Sequence, residues 1–186
     1  IRTLASDVSL DVLLYMTPRH FTRIVERVRA ELARCWRLFC EAHPGAQEHT
    51  QVSLIGHSLG SALVADLLAC GGETVAEIQD CLQQQEKMLG FRPYHFYSLG
   101  SPLALFLLLK HCKLAGCREF CEDDEALQTL LSRHPADGPK LTFLASQQLY
   151  NVFLPHDPVA YRLEPLLIPP SKMSSYAKPV LLPYGK

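Results

Sequence analysis

Residues 52–61 read Val-Ser-Leu-Ile-Gly-His-Ser-Leu-Gly-Ser and carry the strongest fold signal in this chain. The run Val52–Ile55 is typical of a buried strand, and the apolar run Ser61–Ala69 is compatible with a helix. A Gly-x-Ser-x-Gly motif between a strand and a helix is typical of a nucleophile elbow, in which the serine lies in strained backbone with its hydroxyl exposed. The stretch therefore predicts a strand–turn–helix unit with Ser58 as the candidate nucleophile.

The other elbow residues, Gly56, His57, Leu59 and Gly60, surround this serine. The two glycines are expected to let the backbone pass closely without a Cβ clash. A helix that begins after Ser58 directs its positive dipole end and the Leu59 amide at a developing oxyanion, which is the stabilisation that acyl transfer needs. The alternative interpretation is a plain glycine-rich turn that joins a strand to a helix.

The pattern around the elbow predicts an α/β fold, with a mainly parallel sheet flanked by helices, in a single domain that spans residues 1–186. Residues 117–147 include the acidic run Glu122–Glu125 and are predicted to be a loop or insertion. In chain order, we predict a strand over Val12–Met16, a helix from Pro18 to Phe39, the elbow unit, a helix over Thr74–Leu89, a strand over Tyr94–Leu99, a helix over Pro102–Leu109 and a strand over Gln148–Phe153.

Composition excludes several classes of function. A formal charge of -1 gives no global attraction to nucleic acid. The longest apolar run, Leu103–Leu109, is too short to span a bilayer. Seven cysteines without metal-finger spacing favour reduced thiols in the cytoplasm, and Cys117 and Cys121 lack the further ligands of a zinc site. We therefore predict no metal-ligating residues from spacing alone.

A serine nucleophile needs a base and an acid, which hydrolase folds place in the order Ser, acid, His. Asp157 follows the last predicted strand and precedes Pro158, so it is the candidate acid; the alternative is that it only caps this turn. No histidine follows His156, which is the immediate neighbour of Asp157 and cannot be oriented by the same carboxylate. His57 and the other earlier histidines would break the expected order, so the base is not assigned.

Four segments together resemble the DDHD-domain intracellular phospholipase A1 family: residues 11–16 (Asp-Val-Leu-Leu-Tyr-Met), the elbow, residues 96–103 (Phe-Tyr-Ser-Leu-Gly-Ser-Pro-Leu), and residues 150–153 with 157–166. The resemblance implies an α/β-hydrolase-like core and a cytoplasmic phospholipase that cleaves glycerophospholipids such as phosphatidic acid. It also implies that Ser58 is the nucleophile and that Asp157 is the triad acid and first aspartate of the four-residue signature. The remaining signature residues have no counterpart, so we expect a partial domain whose base lies beyond Lys186. No cofactor is expected to be required, and a divalent metal role of the signature stays open.

The first predicted helix places five arginines on one stripe, opposite its apolar face, namely Arg19, Arg23, Arg27, Arg34 and Arg37, and the first three are the candidate lipid-surface residues. Such a stripe could meet anionic lipid headgroups at the cytosolic face of organelle membranes. The alternative is an ordinary surface helix with solvated or paired arginines. Two other functions remain open at this point, namely a different serine esterase, thioesterase or transacylase, and an inactive lipid-binding or assembly module. The oligomeric state is not predicted.

Overall fold

A computed structural model describes residues 15, 17–117, 121–135, 137–157, 159–160, 162–167 and 180–182, without the side chains of Pro18 and Arg19. We number its helices and strands in chain order. They are α1 (Pro18–Ala42), α2 (Ala46–His49), β1 (Val52–His57), α3 (Leu59–Leu68), β2 (Ala69–Cys70), α4 (Val75–Leu89), β3 (Pro93–Leu99), α5 (Leu103–Leu109), β4 (Cys112–Cys117), α6 (Asp124–Arg133), β5 (Lys140–Leu144) and β6 (Gln148–Val152). A 3₁₀ turn follows at Glu164–Leu166.

The larger sheet has the order β1-β3-β6, and its strands are parallel. Gly56 pairs with Ser98, and Leu99 pairs with Val152, so the three strands end at one edge. Helices occupy the connections between these strands, as parallel pairing requires. The arrangement is an α/β fold that brings the segments following β1, β3 and β6 together.

One face of this sheet packs against the core, and the opposite face is open in the described residues. Phe96 is fully buried, whereas Ile55 on the other face of β1 is 67% exposed. Beside it, the rings of Tyr97 and Tyr150 stack with their centroids 5.0 Å apart. Strand alternation explains the contrast, because successive side chains point to opposite faces.

A smaller sheet with the order β2-β5-β4 lies beyond α3 and α5. β5 pairs antiparallel with β2 and parallel with β4. Fully buried Phe143 of β5 and Leu67 and Leu68 of α3 belong to the same hydrophobic cluster. The helix that follows Ser58 is therefore held by a core that both sheets share.

Most predicted elements are confirmed within a few residues, including α1, β1, α3, α4, β3, α5 and β6. The loop prediction for residues 117–147 is wrong over α6 and β5. The acidic run that suggested a solvated loop is instead the start of α6, where Asp123 accepts a hydrogen bond from the Ala126 amide and acids complement the helix dipole. The predicted strand at 12–16 lies outside the described residues except for Tyr15, which is helical.

Candidate active site

Ser58 joins β1 to α3 in a backbone conformation that side chains seldom adopt. Its φ is 51° and its ψ is -129°. A non-glycine residue in this region costs about 1–3 kcal/mol and persists only where the surrounding structure holds it. The Ser58 amide donates to the Leu99 carbonyl at 3.0 Å, and the Ser61 amide donates to the Ser58 carbonyl at 3.0 Å. These bonds fix the turn from both sides, which is the strained geometry expected of a nucleophile elbow.

The two glycines of the elbow have different roles. A Cβ on Gly56 would lie 2.5 Å from the Ser61 Cα and 2.8 Å from its amide nitrogen, so only glycine fits where β1 passes under α3. A Cβ on Gly60 would meet nothing within 4 Å. The steric expectation for the flanking glycines is therefore confirmed for Gly56 and wrong for Gly60, which already lies in α3.

A buried serine pair ties the elbow to the segment after β3. The Ser61 hydroxyl is within hydrogen-bond reach of the Ser58 carbonyl and of Ser101 Oγ, the latter at 2.5 Å. Ser101 Oγ in turn accepts a hydrogen bond from the Leu103 amide at 3.0 Å, at the start of α5. Ser61 and Ser101 are fully buried. The network holds the turn at Ser58 against the neighbouring strand end.

Asp157 lies at the same edge of the sheet, five residues after β6 ends. Its Oδ1 accepts hydrogen bonds from the amides of Val159 at 2.8 Å and Ala160 at 3.2 Å. The carboxylate therefore caps its own turn, as the structural alternative expected. Oδ2 of Asp157 takes no part in these two hydrogen bonds.

Gly100 lies beside both Asp157 and His57. Its φ is +51°, and its amide donates to the Val152 carbonyl at 2.9 Å. A Cβ placed on Gly100 would lie 3.4 Å from Asp157 Oδ2 and 3.9 Å from His57 Nε2. The absence of a side chain at Gly100 thus lets the carboxylate and the imidazole approach the same point beside the elbow.

Leu59 is the first residue of α3, and its amide belongs to the first turn, where amides have no acceptor within the helix. The amide is therefore available to an oxyanion near Ser58. Ser58 and Leu59 are partly exposed, so an ester could reach this edge. Sequence reasoning missed Gly100, Ser61 and Ser101, although the run Leu99-Gly100-Ser101-Pro102 after a strand was a signal of a tight turn.

The predicted basic stripe is only partly assembled in α1. Arg23 and Arg27 are exposed and form no ion pair among the described residues, and the Arg19 side chain lies outside them. Further along, Arg34 Nε lies 2.8 Å from Glu31 Oε2, and this bond lowers the pKa of Glu31. The ordinary surface-helix alternative therefore describes the second half of α1, whereas Arg23 and Arg27 form no close ion pair in the described residues and Arg27 acts on Glu31 through its charge.

A second charged cluster lies behind the elbow helix. Asp66 Oδ2 accepts a hydrogen bond from the Tyr15 hydroxyl at 2.7 Å, and Asp66 Oδ1 lies 2.5 Å from Lys110 Nζ. Burial and the adjacent Asp66 charge raise the pKa of Tyr15 well above its usual value. Lys110 Nζ also lies 5.0 Å from the centre of the Phe21 ring. The cluster joins Tyr15, α3 and α5, and it lies at the opposite end of α3 from Ser58.

The described residues contain no group of three or more His, Cys, Asp or Glu side chains that could hold a metal ion. None of the described helices combines the length and apolar character that crossing a bilayer needs.

Comparison with known proteins identifies the family of this chain. Residues 89–186, more than half of the chain, match the DDHD domain. The chain belongs to the DDHD-domain family. A probable mitochondrial phospholipase of Schizosaccharomyces pombe is 33% identical to this DDHD chain over 168 residues, which cover 90% of the chain and 20% of that protein. A similar protein of Saccharomyces cerevisiae is 30% identical over 184 residues, covering 99% of the chain and 22% of that protein.

The intracellular phospholipase A1 of Caenorhabditis elegans is 25% identical over 218 residues, covering 91% of the DDHD chain and 22% of the relative. This chain thus spans about a fifth of the length of these three relatives. The search of solved structures found no significant match. The resemblance seen in the sequence is confirmed at the level of the family.

Proposed function

We propose that this DDHD chain carries the nucleophile and the acid of a serine phospholipase of the A1 type, on an α/β-hydrolase-like core. The observation that carries the proposal is the backbone of Ser58, with φ 51° and ψ -129° at the strand-to-helix turn. Backbone strain of this size concentrates at functional sites. The names of the relatives support the substrate class, because they are called phospholipases.

The mechanism follows from the groups at the sheet edge. Ser58 Oγ forms a bond to the acyl carbon of the phospholipid ester while a base takes its proton. The negative charge that develops on the carbonyl oxygen is stabilised by the Leu59 amide and the positive end of α3. Collapse of this intermediate breaks the ester bond, and the base returns its proton to the departing lysophospholipid oxygen. Water then cleaves the acyl-enzyme and releases the fatty acid.

Asp157 is the acid in this proposal. Two backbone amides hold Oδ1, so the carboxylate is fixed in direction, and Oδ2 is turned toward Gly100 and the elbow. A carboxylate held in this way orients a histidine and stabilises its charged form. The base in this proposal is the histidine of the four-residue signature, as the family resemblance implies, and no described residue is assigned to it. No step of the mechanism uses a metal or another cofactor.

The proposed substrate is a glycerophospholipid at the cytosolic face of an organelle membrane, and phosphatidic acid is the preferred lipid. Arg23 and Arg27 support an anionic surface as the partner, because both are exposed, lie one helix turn apart and lack an ion pair in the described residues. Each basic side chain near an anionic surface contributes about 1 kcal/mol.

The test is covalent labelling by a fluorophosphonate, followed by lipid product analysis. The probe is applied to this chain, to a chain that continues the natural sequence beyond Lys186, and to the Ser58→Ala variant of each. Ser58-dependent labelling of the longer chain, with release of a fatty acid from the sn-1 position of phosphatidic acid, is the expected result. Release from thioesters or neutral esters instead would assign a different serine hydrolase. Folded protein without Ser58-dependent labelling in either chain would leave a lipid-binding or assembly module.

A further inference from the structure

Two cysteines meet where β2 packs against α4, at the end of α3 remote from Ser58. Cys70 ends β2 and is only 2% exposed, whereas Cys81 lies in α4 and is partly exposed. Their thiols are hydrogen-bonded to each other, and the Gly71 amide also donates to the Cys81 sulfur. Neither residue takes part in the proposed acyl transfer.

Contacts of neighbouring side chains hold the two elements together at this point. Gln85, one helix turn after Cys81, directs its Nε2 at the Ala69 carbonyl, 3.4 Å away. Arg29 of α1 donates from Nη2 to Gln85 Oε1 at 3.3 Å. The backbone next to Cys70 and the helix turn next to Cys81 are thus joined independently of the thiols, and α1 brings a positive charge to the same place.

Arg29 has a free donor in this cluster. Its Nε is buried and has no hydrogen-bond partner among the described residues. A buried guanidinium N–H without an acceptor is costly, so an anion beside it would be stabilised. Cys81 is the partly exposed member of the pair, and the Arg29 charge favours its thiolate.

The environment of Cys81 favours the thiolate. The hydrogen bond from Cys70, the Gly71 amide and the Arg29 charge lower the pKa of Cys81 to about 7, although burial opposes this shift. Since the thiolate is the reactive form, a cysteine in such surroundings reacts at neutral pH.

We propose that Cys81 and Cys70 form an oxidisable dithiol, with Cys81 as the peroxide-reactive thiolate and Cys70 as the resolving thiol. Hydrogen peroxide is the oxidant. The Cys81 sulfur attacks one peroxide oxygen, which forms an S–O bond, breaks the O–O bond and releases hydroxide. The Cys70 sulfur then attacks the Cys81 sulfur, which forms the disulfide and expels the sulfenic oxygen, and this oxygen leaves as water after taking the Cys70 proton and the sulfenic hydrogen.

Peptide mapping with a protease that cleaves after glutamate tests the proposal directly. Cleavage after Glu73 and Glu77 places Cys70 in peptide 49–73 and Cys81 in peptide 78–86, and each peptide has one cysteine. Dilute protein is treated with hydrogen peroxide at neutral pH, blocked with an alkylating reagent and digested. We expect these two peptides to be linked by a bond that dithiothreitol breaks. We also expect Cys81 to be consumed about tenfold faster than the exposed thiol of Cys35.

Two variants separate the roles of the thiols. In Cys70→Ser, Cys81 is expected to stop at the sulfenic acid, which dimedone traps, and no linked peptide forms. In Cys81→Ser, the buried Cys70 is expected to stay reduced, while Cys35→Ser behaves like the wild type. Circular dichroism tests whether each variant is folded. If a variant is not folded, the peptide mapping of the wild-type protein tests the proposal without it. Consumption of Cys81 no faster than that of Cys35, or linkage of other cysteine pairs, would overturn the proposal.

Discussion

Gly56 shows how one residue sets the geometry of the elbow. Its Cα lies so close to Ser61 that the smallest side chain would reach a backbone atom at 2.5 Å, a separation that real Cβ atoms do not show. The positive φ of Ser58 and the close approach at Gly56 have the same cause, because α3 begins directly above the end of β1. Gly60 carries no such constraint.

Gly56→Ala is therefore expected to destabilise the fold by about 1–3 kcal/mol, since a backbone contact cannot move aside. Gly60→Ala is the matched control and is expected to be neutral or to stabilise by up to about 1 kcal/mol, because alanine is the better helix former. Urea unfolding of both variants measures the difference. Equal stability of the two variants would contradict the steric role of Gly56.

At the scale of the element, α4 shows how local chemistry defines a helix. Thr74 accepts a hydrogen bond from the Glu77 amide at 3.2 Å, and Glu77 Oε2 accepts from the Thr74 amide at 3.4 Å, which completes a capping box. Gly90 ends the helix with a φ of 78°. Both signals stand in the sequence, and the predicted helix over Thr74–Leu89 differs from the observed Val75–Leu89 by one residue.

Thr74→Ala removes the side-chain acceptor and is expected to cost about 1 kcal/mol of unfolding free energy. Thr74→Ser keeps the acceptor and should retain nearly all of the stability. The comparison is made by urea unfolding followed by far-ultraviolet circular dichroism. A serine variant as unstable as the alanine variant would show that the methyl group of Thr74, and not its hydroxyl, is what matters.

Elements with a local periodicity could be predicted from the sequence, and elements that depend on distant contacts could not. Apolar spacing and turn residues predict the 25-residue helix α1 and the elbow. β4 and β5 were missed because each is recognised mainly by its pairing with the other and, for β5, with β2. The approach of Asp157 and His57 to Gly100 is likewise invisible in sequence, since it joins three separate strand ends.

At the scale of the whole molecule, the hydrogen bond from Tyr15 to Asp66 and the ion pair of Asp66 with Lys110 connect the start of the described chain to α3 and to the end of α5. Burial and the Asp66 charge raise its pKa, so the folded state keeps the phenol proton at a pH where the unfolded chain loses it. The contribution of Tyr15 is thus fully present below about pH 10, the usual pKa of tyrosine, and falls as the pH rises above it.

Tyr15→Phe should lower the unfolding free energy at pH 7 by about 1 kcal/mol, because Asp66 loses a hydrogen bond. It should also reduce the loss of stability between pH 9 and pH 11, compared with the wild type. Urea unfolding at pH 7 and at several pH values between 9 and 11 measures the two effects. An unchanged alkaline slope would mean that Tyr15 does not titrate differently in the folded and unfolded states.

The surface of the molecule has little net charge but an uneven distribution of it. With a formal charge of -1, the whole chain has no general attraction to anionic membranes, so binding would have to come from a local group of cations. Arg23 and Arg27 are such a group, whereas Arg34 and Arg37 lie near Glu31 and Glu41 at 2.8 and 3.9 Å. The two pairs of arginines lie on the same helix and differ in whether they form a close ion pair, although the charge of Arg27 also acts on Glu31.

Reversal of Arg23 and Arg27 to glutamate is therefore expected to weaken binding to phosphatidic-acid vesicles at least about tenfold, since each basic residue near the surface contributes about 1 kcal/mol. Reversal of Arg34 and Arg37 changes the net charge equally and should weaken binding much less, because those side chains face acidic neighbours. Vesicle co-sedimentation of both variants, at low and physiological salt, separates a local site from a general charge effect. Equal losses in the two variants would assign binding to net charge alone, and no loss in either would remove α1 from the membrane surface.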